Sequence, residues 1–135
     1  MPAFSKLKKR KDFIHAAKSG VSVPTRTIVL QAVFRKSDSP VTGARIGYTT
    51  TKKIGKAVVR NLCRRRLRAA AALFFEKLAL PTADYVLIAR FSTADADFKN
   101  ICRDLQRGLK KINQTLNGEA DHDQPDTQVP VSAAD

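Results

Sequence analysis

The sequence has few of the residues from which protein active sites and covalent frameworks are built. Its 135 residues include no tryptophan, two cysteines, two histidines and 12 acidic residues. Two cysteines cannot build a framework of several disulfides, and with two distant histidines they do not match the spacing of a zinc site. A phosphate-binding glycine motif is missing, and the acidic residues are too sparse for a two-metal nuclease site. We therefore expect neither a catalytic site nor a metal site in the protein itself.

Long apolar runs are also missing. No stretch approaches the roughly 20 apolar residues that a membrane-spanning helix needs, and the basic amino terminus is not followed by the apolar region of a secretion signal. Cys63 and Cys102 lie in predicted helices among apolar neighbours, which favours small buried side chains in a reducing compartment. The sequence therefore predicts a cytoplasmic protein that does not enter a membrane.

Positive charge, in contrast, is abundant and unevenly distributed. The 25 Lys and Arg residues give a formal net charge of +13, which indicates a polyanionic partner. Residues 1–116 hold all of these cations and seven acidic residues, a formal charge of +18, whereas residues 117–135 hold five acidic residues and no cation. We predict one folded, nucleic-acid-binding domain over 1–116 and an acidic, disordered tail over 117–135, because the tail has few apolar residues.

The densest cationic stretch covers residues 52–68. No acidic residue lies between Asp38 and Glu76, and no Gly or Pro interrupts the chain between Gly55 and Pro81, which predicts a helix over 56–78. At about 100° per residue, one broad face of this helix collects cationic and amide side chains, with Arg66 as an additional charge. The opposite side is expected to pack on a sheet through Val59, Leu62, Cys63, Ala70 and Leu73.

A basic helix face is often only a solvated surface. Here, like charges four residues apart repel by a few tenths of a kcal/mol per pair, and arginine offers bidentate donors that fit phosphate. Both properties favour contact with a nucleic-acid backbone. The residues predicted to make it are Lys52, Lys53, Lys56, Arg60, Asn61, Arg64, Arg65 and Arg68. A major-groove DNA reader fits less well, because strands flank this helix in place of a turn–helix motif.

The rest of the pattern alternates between helices and strands. Helices are predicted over 9–19 and from about 95 to a stop at Asn117-Gly118, and strands over 21–23, 26–35, 45–51 and 85–89. With the basic helix between the third and fourth strands, this order predicts an α+β protein, a two-layer α/β sandwich with helices packed on a sheet.

Several of these motifs, in this order, resemble the protein subunit of bacterial ribonuclease P from about Leu7 to Leu116. The residues that carry the resemblance are Leu7-Lys8-Lys9, Asp12-Phe13, Gly47, Lys52-Lys53-Ile54-Gly55, Ala57-Val58, Arg60-Asn61, Arg64-Arg65, Arg68, and Asp84-Tyr85 through Arg90. The sequence departs from the family's Arg-Asn-Arg signature at one position, where Leu62 replaces the second arginine.

The resemblance implies a four-stranded mixed sheet with a left-handed βαβ crossover, in the element order αβββαβα. It also implies that the RNA subunit is the catalyst, which removes the 5′ leader of precursor tRNA with Mg²⁺ ions bound mainly by RNA. The protein would bind the ribonuclease P RNA and the leader, without requiring a stable protein partner. The leader-binding residues that the resemblance implies are Phe13, Ala17, Gln31 and Arg90.

Two alternatives remain open from the sequence. Phe13 fits either a core position or a platform on which an unpaired base stacks, and Ala17 replaces an aromatic residue that some relatives carry. A non-enzymatic RNA-binding protein of ribosomal type would share this charge and this fold class. A cleft that receives the leader would distinguish the ribonuclease P subunit from it.

Overall fold

The described part of the chain folds into three α-helices and one five-stranded sheet. The structure is a computed structural model that describes residues 4–36 and 38–121, with side chains up to Gly118. The strands are β1 (Phe4–Lys6), β2 (Val21–Pro24), β3 (Ile28–Phe34), β4 (Ala44–Thr49) and β5 (Ala83–Ala89). The helices are α1 (Arg10–Ser19), α2 (Ala57–Leu78) and α3 (Phe98–Asp121).

The sheet is mixed, with the strand order β1-β4-β5-β3-β2. β4 is parallel to both of its neighbours, β1 and β5, whereas β3 is antiparallel to β5 and to β2. Because α2 connects the parallel neighbours β4 and β5, it forms the crossover of a βαβ unit. The predicted α+β class and mixed sheet are confirmed.

The prediction of four strands is wrong, because β1 adds a fifth strand at the edge of β4. Its first residue, Phe4, pairs with Ala44 on β4. The ring of Phe4 also makes an edge-to-face contact with Phe75 of α2, with the ring centroids 4.9 Å apart. A three-residue strand whose partners lie 40 residues away leaves no local periodic pattern, so the sequence alone did not reveal it.

The larger core lies between the sheet and the two long helices. Phe75 and Tyr85 are fully buried there and meet edge to face at 5.1 Å. Burial raises the pKa of Tyr85 to about 12. Its neutral hydroxyl accepts the backbone N–H of Leu80 at 2.8 Å and donates to Oδ1 of Asn113 at 2.6 Å. These bonds satisfy a buried polar group and join β5, the end of α2 and α3.

A smaller core lies on the opposite face of the sheet, beneath α1. Val33 of β3 and Val86 of β5 are buried there with Leu7 and Ala16, and Phe13 packs against them. Residues that alternate with these valines belong to the larger core, so helices cover both faces of the sheet. The predicted two-layer sandwich therefore has a partial third layer, because α1 packs on the face that α2 and α3 leave open.

The boundaries of α2 agree with the predicted helix, but its buried face is rotated from the predicted one. Cys63 and Ala70 are buried as expected, whereas Leu73 is 55% exposed. Leu67, Ala71 and Phe75 are buried in its place. The side of α2 that packs on the sheet therefore lies closer to Arg60 than the side predicted by dividing the helix into a cationic and an apolar half.

The beginning and end of α3 also differ from prediction. A short 3-10 turn at Phe91–Thr93 precedes the helix, which begins at Phe98. α3 then continues through Asn117 and Gly118 to Asp121, so the predicted stop is wrong. A single glycine lowers helix stability without preventing the helix from continuing. The rest of the predicted disordered tail, residues 122–135, lies outside the described residues.

A buried ionic network anchors the start of β5. Asp84 is 2% exposed, and its carboxylate accepts Arg35 at 2.8 Å and Arg45 at 2.7 and 2.9 Å. Arg45 also lies 3.5 Å from Asp12 of α1. The hydrogen bonds to Asp84, more than its charge, raise the pKa of Arg45. The network joins three strands of the sheet to α1.

Two predictions concern the cysteines and the lack of long apolar runs. Cys63 and Cys102 are free and buried, as predicted, and burial raises the pKa of each thiol. Among helices in residues 4–36 and 38–121, none has the length and apolar composition of a membrane span.

Candidate nucleic-acid interface

The cationic surface begins in a tight turn in front of α2. A 3-10 turn over Lys52–Ile54 presents Lys52 and Lys53 to solvent, and Lys56 is exposed at the helix N-cap. Gly55, between them, has a φ of 148°, a backbone conformation that side-chain-bearing residues rarely adopt. Glycine at this position therefore allows the three lysines to lie next to the first turn of α2.

Arg60 holds this turn in place. Its Nη1 atom donates to the backbone carbonyl oxygen of Gly55 at 2.8 Å, and its side chain is half-buried. The sequence predicts Arg60 as a phosphate contact, and the structure adds a second task. Arg60 positions the lysine-bearing turn from the helix, while its remaining N–H groups are available to bind an anion.

The rest of the predicted face extends along the next two turns of α2. Asn61, Arg65 and Arg68 are exposed, and Arg64 is half-buried. The guanidinium of Arg68 lies 5.8 Å from the ring centroid of Tyr48 at the end of β4. Burial raises the pKa of Tyr48 to about 12, although the charge of Arg68 acts in the opposite direction.

No acidic side chain neutralises this face in the described part of the chain. The ion pairs found there are made by Arg35 and Arg45, and none involves a cation of α2. The predicted cations from Lys52 to Arg68 therefore keep their charge without an acidic partner among the described residues, and together with Asn61 we call them the α2 face: Lys52, Lys53, Lys56, Arg60, Asn61, Arg64, Arg65 and Arg68.

Arg66 does not belong to this face, although the sequence suggests it as an additional charge on the basic ladder. Its Nη2 atom donates to the backbone carbonyl oxygen of Ala96, in the segment before α3. Its Nε atom is buried without a hydrogen-bond partner among the described residues. Arg66 therefore joins α2 to the start of α3 and is turned away from the α2 face.

The residues implied to bind the leader are brought to the opposite side of the sheet. Gln31 of β3 lies beside Val86 of β5, which in turn pairs with Gly47 of β4. The ring of Phe13 rests directly on Gly47, where an added Cβ would lie 2.5 Å from Cζ of Phe13. Two strand spacings, about 10 Å, separate Gln31 from Gly47, so Phe13 and Gln31 share one row of this sheet face.

The other two leader residues lie at the borders of that region. Ala17 is exposed on α1. Arg90 follows β5, four residues and about 13 Å beyond Val86, and its Nη1 atom donates to the carbonyl oxygen of Thr25 at 3.0 Å. The structure therefore places Phe13, Ala17 and Gln31 on α1 and the sheet face next to it, whereas Arg90 lies apart from them, beyond the end of β5.

Phe91 is an exposed aromatic residue next to Arg90 that the sequence did not single out. It is 71% exposed and belongs to the 3-10 turn before α3. Ser92 Oγ donates to the carbonyl of Arg26 at 2.7 Å, and Thr93 Oγ1 donates to that of Thr27 at 2.6 Å, so the turn is firmly held. In the sequence, the signal that could have identified Phe91 is an aromatic residue directly after an arginine at the end of a predicted strand.

No metal centre is apparent in the described part of the chain. Within it, no three His, Cys, Asp or Glu side chains come together in a group that could hold an ion.

The two best-defined surfaces are the α2 face and the sheet face beneath α1. Together with the mixed sheet, they define a nucleic-acid-binding α+β protein that presents a basic helix.

Comparison with known proteins identifies the family of this chain. The family model described as Ribonuclease P matches residues 1–113. A ribonuclease P protein component from Gluconacetobacter diazotrophicus is 45% identical over 106 residues, which are 78% of this chain and 89% of that protein. The chain belongs to the ribonuclease P protein family.

Solved structures agree with this membership. The RNase P protein of Staphylococcus aureus superposes with a TM-score of 0.65 at 30% identity, over 78% of this chain and 92% of that one. A mutant S. aureus RNase P protein with defective mRNA degradation activity gives a TM-score of 0.66 at 30% identity, over 78% of this chain and 85% of that one. The fold is therefore shared with these proteins as well as the sequence.

Proposed function

We propose that this chain works in tRNA processing as the protein subunit of ribonuclease P. In this role it binds a catalytic RNA subunit through the α2 face and the 5′ leader of precursor tRNA through the sheet face beneath α1. The observation that carries the proposal is the presence of two separate surfaces. One is the α2 face, whose cations form no ion pair among the described residues. The other is the sheet face that holds Phe13 and Gln31.

Family membership supports further parts of the proposal. Mg²⁺ is bound mainly by the RNA, which cuts the precursor, so the protein contributes binding and no catalytic group. The protein acts in the cytoplasm and needs no stable protein partner. The β4–α2–β5 crossover is expected to be left-handed, whereas crossovers between parallel strands are usually right-handed.

A non-enzymatic ribosomal-type protein is not favoured, because the family match covers residues 1–113. The S. aureus mutant, which has defective mRNA degradation activity, suggests mRNA degradation as a second candidate function. In this chain the described residues contain no cluster of potential metal ligands, which favours RNA binding over intrinsic hydrolysis.

Neutralising the α2 face is expected to weaken assembly with the RNA subunit. For Arg60→Ala and for Arg64→Ala, the slope of log K against log salt should decrease in magnitude by about 0.7–0.9, the value for one lost phosphate contact. Titration of ribonuclease P RNA at several salt concentrations measures this. Because Arg60 also holds the carbonyl of Gly55, its variant should lose more affinity than the Arg64 variant. An unchanged slope for both would mean that these arginines are only solvated.

The leader-binding role of Phe13 can be separated from its packing role. If a leader base stacks on the ring, Phe13→Ala should weaken binding of precursor tRNA by about 1–3 kcal/mol, roughly 5- to 150-fold. Mature tRNA, which has no leader, should be affected much less. Affinities of the assembled ribonucleoprotein for both tRNAs, with the melting temperature of the protein, provide the measurement.

Phe13→Leu is the matched control for this experiment. Leucine keeps an apolar side chain near Gly47 but removes the planar ring on which a base can stack. We expect Phe13→Leu to melt close to the unmodified protein and still to lose affinity for the precursor. If leucine restores full precursor binding, or if both tRNAs lose affinity equally, Phe13 is an ordinary packing residue.

A further inference from the structure

The outward surface of α3 carries a second row of cations. The residues in this row are all exposed and follow one another at three or four positions, except for the adjacent pair at its end: Lys99, Arg103, Arg107, Lys110 and Lys111. The opposite side of α3 is buried through residues such as Leu105 and Leu109. The row, which we call the α3 stripe, covers 12 helical steps, about 18 Å.

The α3 stripe is not neutralised within the described structure. Asp104 is the one acidic residue between 98 and 118, and its carboxylate is turned to the sheet, where it accepts the backbone N–H of Thr27 at 3.1 Å and its hydroxyl at 2.7 Å. None of the ion pairs among residues 4–36 and 38–118 involves the stripe. Repulsion between like charges at these spacings therefore persists until an external anion binds.

The α3 stripe and the α2 face lie on different flanks of the molecule. Arg66 and Leu78 of α2 contact Ala96 and Asn113 respectively, so the two helices run parallel, side by side. Arg64 lies about 160° around α2 from Arg66, and so points away from α3. The α2 face is over β4, where Arg68 meets Tyr48, whereas α3 lies over β2 and β3.

The leader-binding region is on yet another side. Phe13 and Gln31 belong to the sheet face that α1 covers, and α3 packs on the opposite face. A leader bound on this sheet face, beside α1, is thus separated from the α3 stripe by the thickness of the sheet. The largest polyanion in the proposed complex is the RNA subunit.

We infer that the α3 stripe binds the phosphate backbone of the ribonuclease P RNA, at a segment different from the one bound by the α2 face. This inference rests on the proposed function. The cationic side chains of the α3 stripe contact the RNA backbone without reading the base sequence, as expected for contacts that orient a protein on a nucleic acid. The protein then holds two RNA segments in a fixed relation, one on each flank of its helix layer.

The test compares two triple variants of the full chain that remove equal charge. One neutralises the stripe (Arg103→Gln, Arg107→Gln, Lys110→Gln), and the other neutralises scattered exposed lysines (Lys18→Gln, Lys36→Gln, Lys77→Gln). Affinity for ribonuclease P RNA is measured across a range of salt concentrations. At about 0.7–0.9 per contact, the stripe variant should lower the slope of log K by roughly 2–3, a loss of roughly 100-fold near 0.15 M salt. The control should change the slope by less than about 1.

Chemical footprinting of the RNA supplies the second measurement. The stripe variant should expose an RNA segment that Arg64→Gln leaves protected, and Arg64→Gln should expose a different one. Equal slopes for the two triple variants, or identical footprints, would overturn the inference. So would a stripe variant that assembles normally with the RNA and loses affinity only for precursor tRNA, since the stripe would then bind substrate. If Arg64→Gln is also inert, the proposed function fails with it.

Discussion

Purified protein that is free of RNA is expected to leave precursor tRNA uncut, and addition of ribonuclease P RNA at low Mg²⁺ should produce the mature 5′ end. The expected change is from no product to full turnover, because the proposed function places the chemistry in the RNA, and the described residues hold no group of potential metal ligands. Gel analysis of a precursor labelled at its 5′ end measures it directly.

Three controls make this result interpretable. The RNA alone at the same low Mg²⁺ should be much less active, since the protein's cations are expected to reduce repulsion between the RNA and its substrate. The Arg64→Ala protein should need a higher concentration to restore cleavage. An mRNA substrate tests the activity suggested by the S. aureus mutant. Metal-dependent cleavage of either substrate by rigorously RNA-free protein would refute the proposed division of roles.

Replacing Asp84 is expected to produce the largest loss of stability among single polar substitutions. Asp84→Ala would leave Arg35 and Arg45 facing each other without the buried carboxylate that both contact. Removing one partner of a buried ion pair typically lowers the free energy of unfolding by about 3–5 kcal/mol. Urea denaturation at neutral pH measures the loss.

The matched control is Asp12→Ala, at the exposed end of the same network. Its carboxylate lies 3.5 Å from Arg45, and its side chain is 19% exposed. An ion pair of this length near solvent typically contributes less than about 1 kcal/mol. If the Asp84 and Asp12 variants were equally stable, the network would not anchor β5 in the way its distances indicate.

The sequence predicted α2 almost to the residue because its information is local. An uninterrupted run of helix-forming residues between Gly55 and Pro81 does not depend on what packs against it. Which side of α2 is buried does depend on the sheet, and so Leu73 was placed wrongly. The contact of Arg66 was not predictable for the same reason, since its partner, the carbonyl of Ala96, lies 30 residues away.

The cationic surface of α2 was predictable in outline, and its supporting contacts were not. Charge and spacing are sufficient to identify the cations of the α2 face. The bond from Arg60 to the carbonyl of Gly55 requires the backbone geometry of the turn. In the same way, the sequence shows Phe13 and Gly47 as separate motif residues. Only the fold reveals that the glycine leaves room for the ring.

The hydrogen bond between Arg60 and Gly55 has a consequence for the kinetics of assembly. Because this hydrogen bond holds the turn carrying Lys52 and Lys53 in the free protein, the proposed binding of RNA there would cost little backbone entropy. Encounter can then be governed by long-range attraction between the charged partners, which salt weakens. Loosening the turn would mainly shorten the lifetime of the bound complex, because mutations within one interface act chiefly on dissociation.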